Sequence, residues 1–375
     1  MDAAAEERRA WVTLLRIPGL TYERVARGLQ AVGSAAELAQ TADRRPELLE
    51  LSEHARLQLR ALDTKLIDGD LAWLDGPQRH LVPLTSPDYP ALLAHAGGAP
   101  PALYVMGSVQ VLSQPQLAIV GSRNPTASGR DTAFDFAAHL ARCGLTITSG
   151  LAEGIDAAGH RGALSAGRET LAVCGTGLDV VYPEHHAELA RSIAAHGALV
   201  SEFPPGTAPR REYFPQRNRI ISGLSLGTLV VEAARQSGSL ITARHATEQG
   251  REVFAIPGSI HNPMSRGCHR LIRDGAKLVE TAEDILSELH WNTTDVNAPA
   301  GAAKPEGADS GAGGLDKEYE ILLDALGFDA LGPDALIERS GLKPEAVASM
   351  LLILELRGLV EARPGGRYCR SPTRR

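Results

Sequence analysis

The sequence predicts an α/β protein: an open, Rossmann-like parallel sheet, preceded by a helical unit and followed by a winged helix. Three observations carry this. Residues 8–75 place apolar side chains at helical spacing. From Leu117 to Val279, short apolar runs alternate with helix-length amphipathic stretches. From Leu315 onward the pattern reads helix, helix-turn-helix, then a hairpin.

In the first unit, assigned to residues 1–78, Trp11, Leu14, Leu15 and Ile17 precede Pro18-Gly19-Leu20. Val25, Leu29 and Val32 follow at helical spacing. Helix, Pro-Gly turn, helix resembles a helix-hairpin-helix or SAM-like bundle. In a DNA-binding hairpin the glycine turn lets backbone N–H groups approach a phosphate; a plain helical packing module is the alternative.

The second unit, residues 79–290, has expected strands at 116–121, 145–148, 170–174, 198–201, 228–232, 252–256 and 276–279. Helices are expected at 127–142, 152–166, 185–195 and 237–249. Continuous apolar strands joined by helices imply a sheet buried on both faces with right-handed crossovers. Such a sheet binds ligand beyond the carboxyl ends of its strands.

Residues 291–314 are rich in Gly, Ala and Pro and are expected to be a flexible linker. The third unit, 315–375, has helices around Leu322, over Pro333–Ser340 and over Glu345–Arg357. A hairpin around Pro364-Gly365-Gly366 completes the winged-helix order. The segment from Arg357 to the end carries six arginines and one glutamate, so this wing is locally basic.

The net charge of the 375-residue chain is -7, which disfavours a protein that coats nucleic acid by general positive charge. A local field can still be basic. Residues 214–222 read FPQRNRIIS, a Phe-Pro lead-in, two arginines flanking Asn218, and an apolar Ile-Ile turn; Arg210 and Arg211 lie just upstream. Arginine suits phosphate through its planar fork and permanent charge. No apolar run reaches about 18 residues, so no membrane span is expected. The charged start MDAAAEERRAW does not read as a signal peptide, and a cytoplasmic protein is expected. Cys143, Cys174, Cys268 and Cys369 are widely spaced and read as core or inert thiols.

Three expected strands run into glycine turns: Gly121-Ser122-Arg123, Ser149-Gly150 with Gly154, and Gly175-Thr176. A glycine at a strand end before a helix brings a phosphate close to backbone amides. Ser237-Gly238-Ser239 opens a further helix and can offer its amides to an anion. There is no GxxxxGK[ST] for nucleotide hydrolysis and no HExxH, and neither Ser122 nor Ser149 stands in GxSxG. The scattered histidines form no ligand cluster, and no metal or cofactor is expected. Gly227-Thr228 with Glu232 resembles the PGGxGTxxE segment of nucleotide-hydrolysing relatives of the lysine decarboxylase fold, without its double glycine. Glu232 is therefore read as a buried or turn carboxylate.

Taken with IVGSRNPTASG, TSGLAEGIDAAGHRGAL, CGTGLDVVYPEHHAELA, SEFPPG, YFPQRNRIISGLS, VVEAARQSGSLITARHATEQGREVFAIPGSI and GCHRLIRDGAKLV, these residues resemble the DNA-processing protein A (DprA/Smf) family. The resemblance spans roughly residues 80–290. It implies an extended Rossmann fold, single-stranded DNA binding, a homodimer, and delivery of RecA onto DNA coated by single-strand binding protein during natural transformation. Carried over by motif, Arg123 holds a phosphate, and Ser149, Gly150 and Gly175 line the same edge. Arg217, Asn218 and Arg219 form the arginine-asparagine-arginine segment, with one arginine expected to touch DNA directly. Glu184 stands after Tyr182-Pro183 where several members carry a basic residue.

The expected function is a non-enzymatic, single-stranded DNA-binding recombination mediator that captures the backbone, with or without a base in a neighbouring pocket. The alternatives are a nucleoside monophosphate hydrolase using Glu232, or a transcription regulator whose winged helix reads duplex DNA. A dimer interface is expected near residues 267–285, with His269, Ile272 and Leu278 as its candidates.

Overall fold

The computed structural model describes residues 3–291, 317–326 and 330–371. The expected linker lies outside these, apart from Trp291. Contacts divide the chain into two compact units, Met1–Asn297 and Ala298–Arg375.

The first unit opens with five helices: α1 (Ala3–Leu15), α2 (Tyr22–Val32), α3 (Ala35–Thr41), α4 (Glu53–Arg60) and α5 (Thr64–Leu74). The turn before α2 has Gly19 at φ 78°, and Thr21 caps the helix by accepting from the Arg24 N–H. Trp11, Leu14, Val25 and Leu38 form the core of this layer.

A nine-stranded sheet follows. Its strands are β1 (Arg79–Pro83), β2 (Ala102–Gly107), β3 (Gln116–Gly121), β4 (Thr146–Ser149), β5 (Thr170–Val173), β6 (Ala198–Ser201), β7 (Gly227–Val231), β8 (Glu252–Ala255) and β9 (Lys277–Leu278). They lie in the order β1-β2-β6-β5-β4-β3-β7-β8-β9. All seven expected strands are present, and β3 to β9 pair in parallel. Strands β1 and β2 are not among those expected from the sequence. They pair antiparallel with each other and with β6, so the sheet is mixed at that end.

The helices are α6 (Ala91–Ala94), α7 (Ala127–Arg142), α8 (Ile155–Ser165), α9 (Ala187–His196), α10 (Tyr213–Leu224), α11 (Ser239–Glu248), α12 (Arg266–Arg273) and α13 (Ala282–Glu288). Alternation along β3 sorts them onto two faces. Ala118 and Val120 pack in one core with Ile220 and Leu224 of α10 and Ala243 of α11. Leu117 and Ile119 pack in another with Ala133 of α7 and Ile155 of α8.

The FPQRNRIIS segment departs from its expected lead-in and turn: it lies within the continuous helix α10. Pro215 sits in the first turn, where its missing N–H costs no helical bond. Arg217, Ile220, Ile221 and Leu224 are all buried, and their spacing is one helical face.

The second unit contains α14 (Lys317–Leu326), α15 (Pro333–Ser340), α16 (Pro344–Leu356) and the hairpin β10 (Val360–Arg363) with β11 (Arg367–Arg370). This is the winged-helix order. Leu322, Leu336, Val347, Leu351 and Val360 form its own core. Among the described residues, no helix is long and apolar enough to cross a membrane.

One buried ion pair ties α1 and α5 to the loop that precedes α10. Asp70, 1% exposed, accepts Arg16 Nε at 2.8 Å, and Arg16 also donates to the Pro205 carbonyl. Burial pushes the Asp70 carboxyl up from the usual range, while Arg16 opposes that shift. Removing one partner of a buried pair strands the other. Asp70→Ala is expected to lower the unfolding free energy by about 3 kcal/mol. Urea unfolding of the variant checks this; a loss under about 1 kcal/mol, the range of an exposed pair, would contradict it.

Candidate functional site

Parallel strands β3, β4 and β5 end at one edge of the sheet, and the loops after them meet the first turns of α10 and α11 there. Together they enclose a cleft of about 710 Å³. Gly121, Ser122, Arg123, Arg217, Asn218, Ser237 and Gly238 all line it. The fold thus brings these residues, distant in sequence, to one cleft.

The glycines are there because side chains would not fit. A Cβ on Gly121 would overlap the Val231 carbonyl, and one on Gly150 would overlap the Arg217 guanidinium. Gly154, at φ 77°, lies against the Ser122 carbonyl and starts α8. Gly175 faces the Phe214 ring.

Arg217 is the floor of the cleft and is 3% exposed. Its Nη1 donates to the Val173 carbonyl at 2.6 Å, and its Nε is buried without a partner. Asp156, also buried, accepts the Gly150 N–H at 3.0 Å and the Ala152 N–H at 3.4 Å. Burial pushes the Asp156 carboxyl up, with Arg217 the leading opposing influence. Burial pushes Arg217 down, with Asp156 the leading opposition. A guanidinium keeps its proton even so, because its unperturbed value is so high. The signal for an inward Arg217 was present in the sequence as its spacing with Ile220, Ile221 and Leu224. Asp156 was missed as a site residue; it sits in the first turn of α8 and reaches back to the Ser149-Gly150 turn.

Arg123 is exposed, with its guanidinium 5.7 Å from the centre of the Phe214 ring. It has no ion-pair partner among the described residues. Phe214 lies 5.2 Å from Tyr182, which is 46% exposed. Neither ring was singled out from the sequence.

Other expected contacts are placed differently. Arg219 points away from Arg217 and makes a two-pronged pair with Glu202, at 2.9 and 2.7 Å. Successive helical residues point about 100° apart, so the two arginines cannot share a face. Of the two, only Arg217 lines the cleft. Ser149 and Thr176 are buried and spend their hydroxyls on the Ile119 and Val180 carbonyls. Their contribution to the edge is backbone rather than side chain. Asn218 donates to the Gly238 carbonyl at 3.4 Å, joining α10 to the start of α11. Glu232 accepts from the Thr126 N–H and hydroxyl, at 2.8 and 2.6 Å, and so holds the start of α7. Near Glu184, His185 pairs with Glu153 at 3.3 Å and His186 bonds the Leu151 carbonyl.

The candidate interface residues lie late in the sheet order, as expected. Leu278 is 43% exposed on β9, the outermost strand on that side. Ile272 is partly buried against the core of its own unit, and His269 bonds the Gly258 carbonyl at 2.9 Å.

The family model described as DNA recombination-mediator protein A matches residues 80–290, more than half of the chain. The chain belongs to the DprA/Smf family. A second model, the DprA winged helix domain, matches residues 304–366. Protein Smf of Escherichia coli is 46% identical over 308 residues, 80% of each chain. DNA processing protein DprA of Bacillus subtilis is 44% identical over 219 residues, covering 58% of this chain and 74% of that one. The crystal structure of DprA from Streptococcus pneumoniae superposes with a TM-score of 0.64 at 36% identity, over 75% of this chain and 97% of the other. A Helicobacter pylori DprA structure, described for its single-stranded DNA binding mode, has a TM-score of 0.51 at 27% identity, over 56% and 96%.

His160, on α8, is also fully buried. Its Nδ1 lies 2.8 Å from the Thr170 hydroxyl, which itself donates to the Ile147 carbonyl. Burial, then the charge of Arg217, push it down from 6.5 to about 3. The folded state thus refuses a proton that the unfolded state takes up. Stability from this group is full above about 6.5 and falls as pH drops toward about 3. His160→Gln is expected to flatten the loss of stability between neutral and acid pH in urea titrations. An unchanged slope would contradict this.

Proposed function

We propose that this protein is a single-stranded DNA-binding recombination mediator whose cleft captures the strand's phosphates. The observation that carries the reading is Arg123, exposed and without an ion-pair partner among the described residues, above the buried Arg217 at the carboxyl edge of a parallel sheet. Arg210 and Arg211 are exposed on the loop leading into α10, which extends the positive rim of an otherwise acidic chain. The Helicobacter pylori relative, whose structure is described for its single-stranded DNA binding mode, agrees with this ligand. In this reading Arg123 makes the direct charge-assisted contact, Arg217 supplies a fixed positive floor, and Arg219 braces α10 through Glu202.

The protein loads RecA onto strands coated by single-strand binding protein, in the cytoplasm, as a homodimer during natural transformation. It acts by binding and not by catalysis. Glu232, the candidate acid of a hydrolase, is occupied at the start of α7, which supports that view. The exposed Leu278 on an edge strand supports an interface there, since uncovered edges invite pairing.

Arg123→Glu is expected to weaken binding of a single-stranded oligonucleotide by more than about tenfold, since a charge-assisted contact contributes roughly 1.5–3 kcal/mol. Affinity of the parent should fall with salt by a slope of about 0.7 per phosphate neutralised, and duplex should bind less well. Anisotropy titrations at several salt concentrations read both; parent-like binding by a folded Arg123 variant would remove the site from this cleft.

Leu278→Arg is expected to shift the protein from dimer to monomer in sedimentation. A parent that is monomeric at about 10 μM, within reach of a modest interface, would remove the dimer itself. A variant that still dimerises would remove only the location.

A further inference from the structure

We propose that the outer face of α16, in the C-terminal unit, is a docking surface for the same face of a second copy of this chain. The contact lies outside the cleft and does not depend on what the cleft binds.

The first reason is that α16 is apolar on both sides. It reads PEAVASMLLILEL. Val347, Met350, Leu351 and Leu354 fill the core of its own unit. On the other side Leu352 is 60% exposed and Leu356 80%, the most exposed large hydrophobic side chain among the described residues. Ala348, Ser349 and Glu355 are exposed with them, at the spacing of one helical stripe. A helix that is apolar all round has a second surface to cover.

The second reason is that this stripe is unsuited to DNA. In the helix-turn-helix order α16 is the helix that a duplex reader lays in the major groove. Reading base edges there relies on Arg, Lys, Asn or Gln, and phosphates call for cations. None of these residues occurs in α16, which carries Glu345 and Glu355 instead, both exposed. Two acids repel phosphate, and an exposed leucine stripe calls for an apolar partner.

The third reason is that the face complements itself. Two copies of α16 can run antiparallel about a two-fold axis at Leu352. Leu352 then meets Leu352 of the second copy, and each Leu356 meets the other copy's Ala348, large against small. Glu355 faces the neutral Ser349. Glu345 arrives level with the end of the opposite helix, where Arg357 stands exposed. An axis at Met350 would instead set Glu345 against Glu355, and a parallel pair would set each acid against itself; like charges facing across an interface are penalised. Two leucines from each copy bury too little for a tight complex on their own. The contact therefore works between copies already held close together, where effective concentration is high.

The test uses the full chain, single added cysteines and a short bismaleimide cross-linker. Cys174, Cys268 and Cys369 are buried and Cys143 is half-buried, so the parent sets the background. Leu352→Cys is expected to cross-link to itself at least about tenfold faster than Glu338→Cys, a control exposed on α15, because an oriented contact raises effective concentration at the paired positions. Ala348→Cys mixed with Leu356→Cys should cross-link faster than either variant alone. Adding Leu356→Glu to Leu352→Cys should remove the excess with circular dichroism unchanged, since position 356 lies outside the core. Leu352→Cys that reacts no faster than the control overturns the proposal, and the face is then open or covered by another segment. So does an excess at Leu352 without one for the mixed pair, which rules out the antiparallel contact. A cross-link that added duplex DNA abolishes assigns the face to DNA and overturns it as well.

Discussion

A buried guanidinium is costly to keep, and the surroundings of Arg217 show how this fold keeps one. Its charge is opposed by Asp156, one nitrogen is taken by the Val173 carbonyl, and Gly150 leaves the space it fills. Those partners come from the ends of β4 and β5 and the start of α8, while Arg217 comes from α10. Four elements are thereby referred to one planar group. The compensation is partial, because Nε remains without an acceptor. A buried donor in that state favours any anion that can reach it. The same side chain thus ties the elements together and presents an unpaired donor among the cleft's lining residues.

Three arginines near this edge have three fates, set by geometry rather than residue type. Arg217 and Arg219 are two positions apart on a helix, so one turns inward and the other meets Glu202 on the flank. Arg123 sits on the loop after β3, outside any helix, and stays in solvent above Phe214. Only the last keeps its whole charge available to a long anion. An ion pair such as Arg219–Glu202 cancels its own field at a distance, which suits a brace better than a contact.

The antiparallel end of the sheet has its own consequence. By pairing with β6, β2 extends the sheet toward the N-terminal helices. There Arg16 holds Asp70 and the Pro205 carbonyl together. Pro205 belongs to the loop from β6 into α10, where the Gly206 N–H also bonds the Asp179 carboxylate. The helix that carries Arg217 therefore begins from a braced loop, and the N-terminal layer supports the site without lining it.

By itself the sequence determined the α/β class, the seven parallel strands, the winged-helix order and the sheet edge at which the glycine turns and the arginine segment meet in a cleft. These follow from local patterns: fully apolar runs for strands buried on both faces, helical spacing between them, and glycines wherever a strand turns into a helix. It also pointed to Arg123, because a cation on such a turn has few local partners. Only the tertiary structure decided the rest. The spacing of Arg217 with Ile220, Ile221 and Leu224 was legible, yet an arginine on an apolar face is credible only once Val173 and Asp156 are seen beside it. The pairing of Arg219 with Glu202, the meeting of Tyr182 with Phe214, and the hydroxyls of Ser149 and Thr176 turned inward all depend on neighbours distant in sequence. Strands β1 and β2 escaped because they pair antiparallel, ahead of the strand–helix alternation that marks the other seven. Secondary structure is encoded in neighbours along the chain, whereas burial and the choice of a polar partner are properties of neighbours in space.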